Sequence, residues 1–272
     1  MSVNSAKVQR PLSEKFIELF QTMQFVWYSG HIVTLTSGFF YILTFKKFWY
    51  RLLYLSVLES FGVIIYQLYF KPKNPISLNS LLLDDNLQYF GIAFFFLINS
   101  VCYPITIIPF LFFAVFHTLN YTRTCILPLL VDQENEESIK NSRINSISNS
   151  ILNFTKNYND KSMKLSSNVE IFTFFWFLIK SIFFRKNAWI SLVVYSIFIK
   201  LRFENSIYIR NIFKNYEVRF DGLISHPNVP PIVKKIWLNI KISMKKIGSI
   251  PLAVPKSQPS SSHSQEETTK TK

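Results

Sequence analysis

The sequence predicts an all-α, multi-pass helical integral membrane protein that ends in amphipathic helices. Three observations predict it. Long stretches carry no formal charge, notably Phe25 to Phe45 and Asn86 to Thr122. Charged residues make up only 17% of the 272, below the roughly 25% usual in soluble domains, while aromatic residues also reach 17%. From Glu204 onward, helical periodicity replaces bulk hydrophobicity.

Residues 1–24 are polar or amphipathic and lack the apolar core and small-residue cleavage site of a leader. They read as a cytoplasmic segment, and the first span then acts as the targeting signal. That span, residues 25–45, would measure about 31 Å as a helix, close to the bilayer's hydrocarbon thickness. The second, residues 52–70, contains a single acid, Glu59.

The 37-residue run from Asn86 to Thr122 would measure about 55 Å, nearly twice one crossing. It must bend or cross twice. Pro104 disfavours helix at Tyr103, so the turn falls at Asn99-Ser-Val-Cys-Tyr-Pro104 and the arms at 84–103 and 105–122. Positive charge arbitrates. With four spans and a cytoplasmic N-terminus, Lys7, Arg10, Lys15, Lys71, Lys73, Arg123, Lys140, Arg143, Lys156, Lys161 and Lys164 lie inside. Only Lys46, Lys47 and Arg51 lie outside: eleven against three, whereas three spans give nine against five. Four spans are favoured, and the outer cluster fits ends that snorkel.

Residues 123–168 are rich in Asn and Ser, with an acidic patch at Asp132, Glu134, Glu136 and Glu137, and read as a poorly ordered cytoplasmic loop. Within it Ile139, Ile144, Ile147, Ile151 and Phe154 recur near helical spacing, so an amphipathic helix is the alternative. Asn153-Phe-Thr155 is an acceptor for N-glycosylation, a test of which side this segment occupies. Residues 169–201 form a short apolar pair split at Arg185-Lys-Asn187, expected as a leaflet-embedded hairpin or as two short spans.

Residues 204–248 carry the expected membrane-binding site. Ile209, Ile212, Phe213, Tyr216 and Phe220 form one apolar stripe. After Pro230-Pro231 a second helix sets Val233, Ile236, Ile240, Met244 and Ile247 on one side, Trp237 at the edge, and Lys234, Lys235, Lys241, Lys245 and Lys246 around the rest. Such a helix suits an anionic leaflet, where each Lys contributes about 1 kcal/mol at low salt. It could instead pack on the protein with a solvated Lys face. No groove-binding or RNA-recognition signature accompanies the lysines, so nucleic acid is not an expected partner. Residues 249–272 read as a disordered Ser/Thr-rich tail.

Catalytic signals are absent. The four histidines, His31, His117, His226 and His263, lack metal-ligand spacing, Cys102 and Cys125 are isolated, and six glycines include no phosphate loop. No cofactor and no enzymatic activity are expected. Glu59, His117 and Lys180 are ionisable groups in apolar stretches, and a transporter or lipid-modifying enzyme would use them as a polar centre. A scaffold whose terminal helices bind a protein groove is a further alternative.

The residues Asn99-Ser100, Tyr103-Pro104-Ile105-Thr106, Pro109, Phe112-Phe113, His117 and Tyr121-Thr122-Arg123 resemble the transmembrane protein 33 family of the endoplasmic reticulum, whose fungal members are pore membrane proteins of the nuclear envelope. Weaker similarity follows at Glu170-Ile171-Phe172, Tyr195, Leu201-Arg202-Phe203 and Phe213 to Pro227. The resemblance implies residence in the endoplasmic reticulum and nuclear envelope, no enzymatic activity, and a part in shaping membranes or in building and distributing nuclear pores. It also implies reticulon-type and nucleoporin partners, with an import karyopherin at Lys234, Lys235, Lys241, Lys245 and Lys246.

Overall fold

The computed structural model describes residues 11–72, 77–131 and 139–252. Lys7, Arg10, Lys73, the acidic patch at 132–137 and the predicted tail beyond 252 lie outside them. Among the described residues the regular elements are all helices: α1 Leu12–Phe20, α2 Met23–Thr44, α3 Lys47–Ile65, α4 Leu78–Leu82, α5 Asp85–Ile98, α6 Ile108–Tyr121, α7 Leu127–Leu130, α8 Ile139–Ile182, α9 Ala188–Asn205, α10 Ile207–Ile224 and α11 Pro231–Ser249. Three helical runs are long and apolar enough to cross a membrane, Lys47–Phe70, Pro104–Leu130 and Ser142–Ile182, and Asp85–Ile98 is a shorter apolar helix. The protein is a multi-pass helical membrane protein.

The predicted first span, α2, has the length but not the hydropathy of those three. Its buried residues include Gly30, Thr34, Ser37 and Gly38, of which Gly30 and Thr34 lie against α3 and Gly38 lies between α3 and α6. A Cβ at Gly30 would clash with Ser60 Oγ and come within 3.0 Å of the Ser56 carbonyl, so the glycine lets the two backbones approach. Thr34 and Ser56 share a hydroxyl hydrogen bond of 2.9 Å in that seam.

The uncharged run breaks where Pro104 predicts. α5 stops at Ile98, Pro104–Ile107 form a 3₁₀ turn, and α6 starts at Ile108. Backbone freed inside a membrane must find partners in the protein. Arg51 donates to the Asn99 carbonyl and Lys47 to that of Ser100, while the Asn99 side chain receives the Val101 N–H at 3.0 Å. Tyr54 OH lies 2.6 Å from Thr106 Oγ1, and Tyr103 N–H donates to Tyr50 OH. The sequence motif is therefore a polar seal on a broken helix.

Asn187, in the left-handed turn between α8 and α9, donates to Asn99 Oδ1 at 3.2 Å and Ser100 Oγ at 2.7 Å. At the opposite end Arg202 and Asn205 of α9 bond Asp85, the first residue of α5. α9 thus runs antiparallel to α5 along its whole length, and the tip of the α8/α9 hairpin sits level with the α5/α6 tip. Aromatic rings fill the space between, with Tyr54, Phe96, Tyr103, Phe110, Phe177 and Tyr195 almost fully buried.

One expectation is corrected. Residues 139–168, read as a loop, are the first two-thirds of α8, a single 44-residue helix that continues into the apolar segment. Its inner side, Ile144, Ser148, Ile151, Leu152 and Thr155, lies against α6 and α7, and Phe154 stacks on Phe116 at 5.8 Å. Asn and Ser lower intrinsic helicity, but packing of one face outweighs propensity.

Candidate membrane-binding site

α10 begins at Ile207 after Ser206, whose side chain caps the Ile209 N–H, and α11 begins on Pro231. The two predicted stripes meet different fates. Ile209 and Ile212 are buried, packed with Ile171 of α8 and against Phe203, Phe213 and Tyr216. Tyr216 OH also donates to Asn168 of α8 at 3.1 Å. Ile209 and Ile212 are therefore covered by protein rather than left to a lipid-facing surface, while Phe213 and Tyr216 are half-buried beside them. An amphipathic pattern shows that a face is buried but not whether protein or lipid covers it. Phe220 remains exposed, its ring tilted against that of Trp237 at 5.3 Å.

On α11 the aliphatic stripe is uncovered. Val233, Ile236, Ile240, Met244 and Ile247 are all at least 40% exposed, and Ile232, Leu238 and Ile242 are exposed on other sides of the helix. The helix docks by another face. Trp237 Nε1 donates to Asp221 Oδ1 at 2.7 Å, and Lys241 reaches Asp221 at 2.9 Å and Glu217 at 3.4 Å. Lys245 pairs with Glu217 at 3.2 Å. Further along, Lys200 donates to the Gly248 carbonyl at 3.1 Å, and Glu204 accepts the Leu252 N–H. Of the five lysines assigned to a leaflet, Lys241 and Lys245 are thus held by α10. Lys234, Lys235 and Lys246 make no ion pair among the described residues.

These contacts shift the titrating groups in a consistent sense. The Trp237 N–H and the Lys241 ammonium hold the Asp221 carboxyl below its ordinary value, Lys245 and Lys241 do the same for Glu217, and Asp221 raises Lys241. A depressed carboxylate contributes stability above its ordinary value, and that contribution is lost as pH falls through the folded one; a raised lysine contributes until pH climbs past its folded value. Docking of α11 is therefore expected to be unchanged between about pH 5 and 9 and to fail in acid. Glu217→Gln with Asp221→Asn should reproduce the acid state at neutral pH. Tryptic cleavage after Lys241 and Lys245 should then rise severalfold relative to the parent chain.

A model of the transmembrane protein 33/nucleoporin POM33 family matches residues 8–249. The chain belongs to this family. It is 36% identical to the "Pore membrane protein of 33 kDa" of Saccharomyces cerevisiae over 90% of both chains. It is 27% identical to the "Nucleoporin POM33" of Chaetomium thermophilum, covering 88% of this chain and 91% of that one. With the "Tetra-spanning protein 1" of Schizosaccharomyces pombe the identity is 29%, covering 95% and 96%. No solved structure matches.

In this transmembrane protein 33/POM33 member the three ionisable groups singled out from sequence do not meet. Glu59 is exposed on α3. His117 stacks on the buried His31 at 4.9 Å and edges Trp27 at 5.1 Å. Lys180 lies over the rings of Tyr103 and Trp176. The partners of His117 and Lys180 share no residue and do not include Glu59, so the three form no cluster among the described residues.

The polar centre that does form was missed. Arg202 and Glu170 are each 1% exposed, with Arg202 Nε 3.5 Å from Glu170 Oε2. Tyr89 OH donates to Glu170 Oε1 at 2.6 Å, the guanidinium stacks on the Tyr89 ring, and Arg202 Nη1 bonds Asp85 Oδ1 at 2.7 Å. The signal was in the sequence, as lone charges at the edges of apolar runs rather than inside them. The cluster ties α5, α8 and α9 together.

Proposed function

We propose that the chain is a non-enzymatic protein of the endoplasmic reticulum and nuclear envelope that associates with nuclear pores and lays α11 on the cytoplasmic leaflet. The observation that carries this reading is the uncovered aliphatic stripe of α11, held at the bundle surface by anchors on the adjoining face. Family membership supports the location, because relatives are named for the pore membrane, and one, 30% identical over 80% of this chain, is the "Pore and endoplasmic reticulum protein of 33 kDa" of Saccharomyces cerevisiae.

Insertion of the stripe into one leaflet fills packing defects that curved membrane exposes, which is the proposed means of sensing or stabilising curvature. The name of the tetra-spanning relative agrees with crossings by α2, α3, α5 and α6, and the level tips of the two hairpins support an equally deep α8/α9 pair. Lys/Arg excess favours a cytoplasmic N-terminus and α10–α11. Lys234, Lys235 and Lys246 are the lysines left for anionic lipid or for the import karyopherin that the resemblance implies, and reticulon-type proteins would meet the spans.

A tagged chain should mark the nuclear rim and cortical reticulum and coincide with pore clusters. In sealed microsomes of a Cys102→Ser, Cys125→Ser background, Ser225→Cys should react with an impermeant thiol reagent and Lys186→Cys should not. The reverse labelling, or absence from the nuclear rim, would discard this reading.

A further inference from the structure

A groove of about 180 Å³ opens between α5 and α9, with α4 across one end. Its wall includes Leu82, Gln88, Gly91, Val194, Phe198 and Leu201, and Gln88 is the polar side chain among the lining residues. From Leu201 to Val194 it descends about 10 Å along α9, from the Asp85 end of the bundle towards mid-depth. Gly91 makes room for it, since a Cβ there would meet nothing within 4 Å.

Gln88 is 7% exposed, and its amide nitrogen donates to the Leu82 carbonyl at 2.7 Å. Its amide oxygen has no partner. A buried acceptor without a donor is costly, and a ligand hydroxyl would satisfy it once the amide turns this enclosed oxygen into the groove.

The charges around that end are already engaged. Asp84 caps the Asn86 and Leu87 N–H groups and accepts from Tyr69. Asp85 holds Arg202 and Asn205, and Lys200 pairs with Glu204 at 2.8 Å. None of the described residues that line the groove is charged, so its wall offers no cation to a phosphate. The site thus calls for a neutral membrane lipid with one small donor and a slender apolar body, lying against the Phe198 ring.

We infer that the α5/α9 groove binds a sterol, its hydroxyl donating to Gln88 and its ring system lying along Gly91, Val194 and Phe198. Full-length chain in microsomes, treated with a photoactivatable alkyne sterol, should be labelled on residues 81–92 and 194–201. Unlabelled sterol should compete and dioleoylglycerol should not. Gly91→Phe fills the groove and should abolish labelling. Gln88→Leu should weaken it about fivefold, the loss of one hydrogen bond. Monodisperse elution in detergent checks that each variant folds, and if Gly91→Phe fails that check, Gln88→Leu decides. Labelling that both variants retain, or that dioleoylglycerol competes equally, would overturn the assignment and leave an acyl chain at an ordinary lipid-facing seam.

Discussion

Arg202→Met is expected to destabilise the bundle by about 3–5 kcal/mol, because it leaves the Glu170 carboxylate buried without its cation. Glu170 and Arg202 are both 1% exposed, so water cannot replace the lost partner. Tyr89 and Ser166 would still donate to Glu170 Oε1, at 2.6 and 3.5 Å, which softens the loss without neutralising the charge. Asp85 would lose its bond from Arg202 Nη1 and keep Asn205, and being about half exposed it suffers less. The thermal midpoint in detergent should fall by about 10 °C or more. Arg202→Lys should recover only part of this, since an ammonium cannot stack on Tyr89 while reaching two carboxylates. Arg202→Met combined with Glu170→Gln should be milder than Arg202→Met alone, because the stranded charge is gone. A double variant as unstable as the sum of its parts would show that the pair acts only through packing.

The second large effect is expected at the membrane surface. A peptide spanning Pro231–Ser249 should float with small anionic liposomes, and Ile236→Asp with Ile240→Asp should abolish it. Each isoleucine contributes about 1.5–3 kcal/mol when buried, and a charged replacement opposes insertion, so partitioning should drop more than a hundredfold. Charge adds a second comparison. In the isolated peptide all five lysines face solvent, whereas in the chain Lys241 and Lys245 are held by Glu217 and Asp221. At about 1 kcal/mol per lysine, a segment that also contains α10 should bind with a shallower salt dependence than α11 alone. Equal binding by the double variant would remove the leaflet mechanism and leave the stripe to a protein groove.

α10 and α11 show why the site was only partly legible. Both carry apolar residues at helical spacing, and that pattern alone predicts a lipid-facing stripe on each. What separates them is the partner surface. Ile209 and Ile212 find Ile171, brought close by the α8/α9 hairpin more than 35 residues away in sequence, and no local pattern encodes that encounter. Lys241 likewise looked like a leaflet contact until α10 placed Asp221 beneath it. The break at Pro104 was legible because its cause is local, a proline that restricts the residue before it. Its seal was not, since the donors come from Lys47, Arg51 and Asn187, far along the chain.

The sequence by itself determined what depends on composition and near neighbours: helices long enough for a bilayer, the bent third run, the amphipathic character of the last two helices, and the family. The tertiary structure alone decided which amphipathic face is core and which is surface, that residues 139–168 are helix, and that Arg202 and Glu170 rather than Glu59, His117 and Lys180 share a site. The physical reason is the same in each case. Burial of a side chain, and the partner that neutralises its charge, belong to pairs of distant segments, and only their packing brings those pairs into contact.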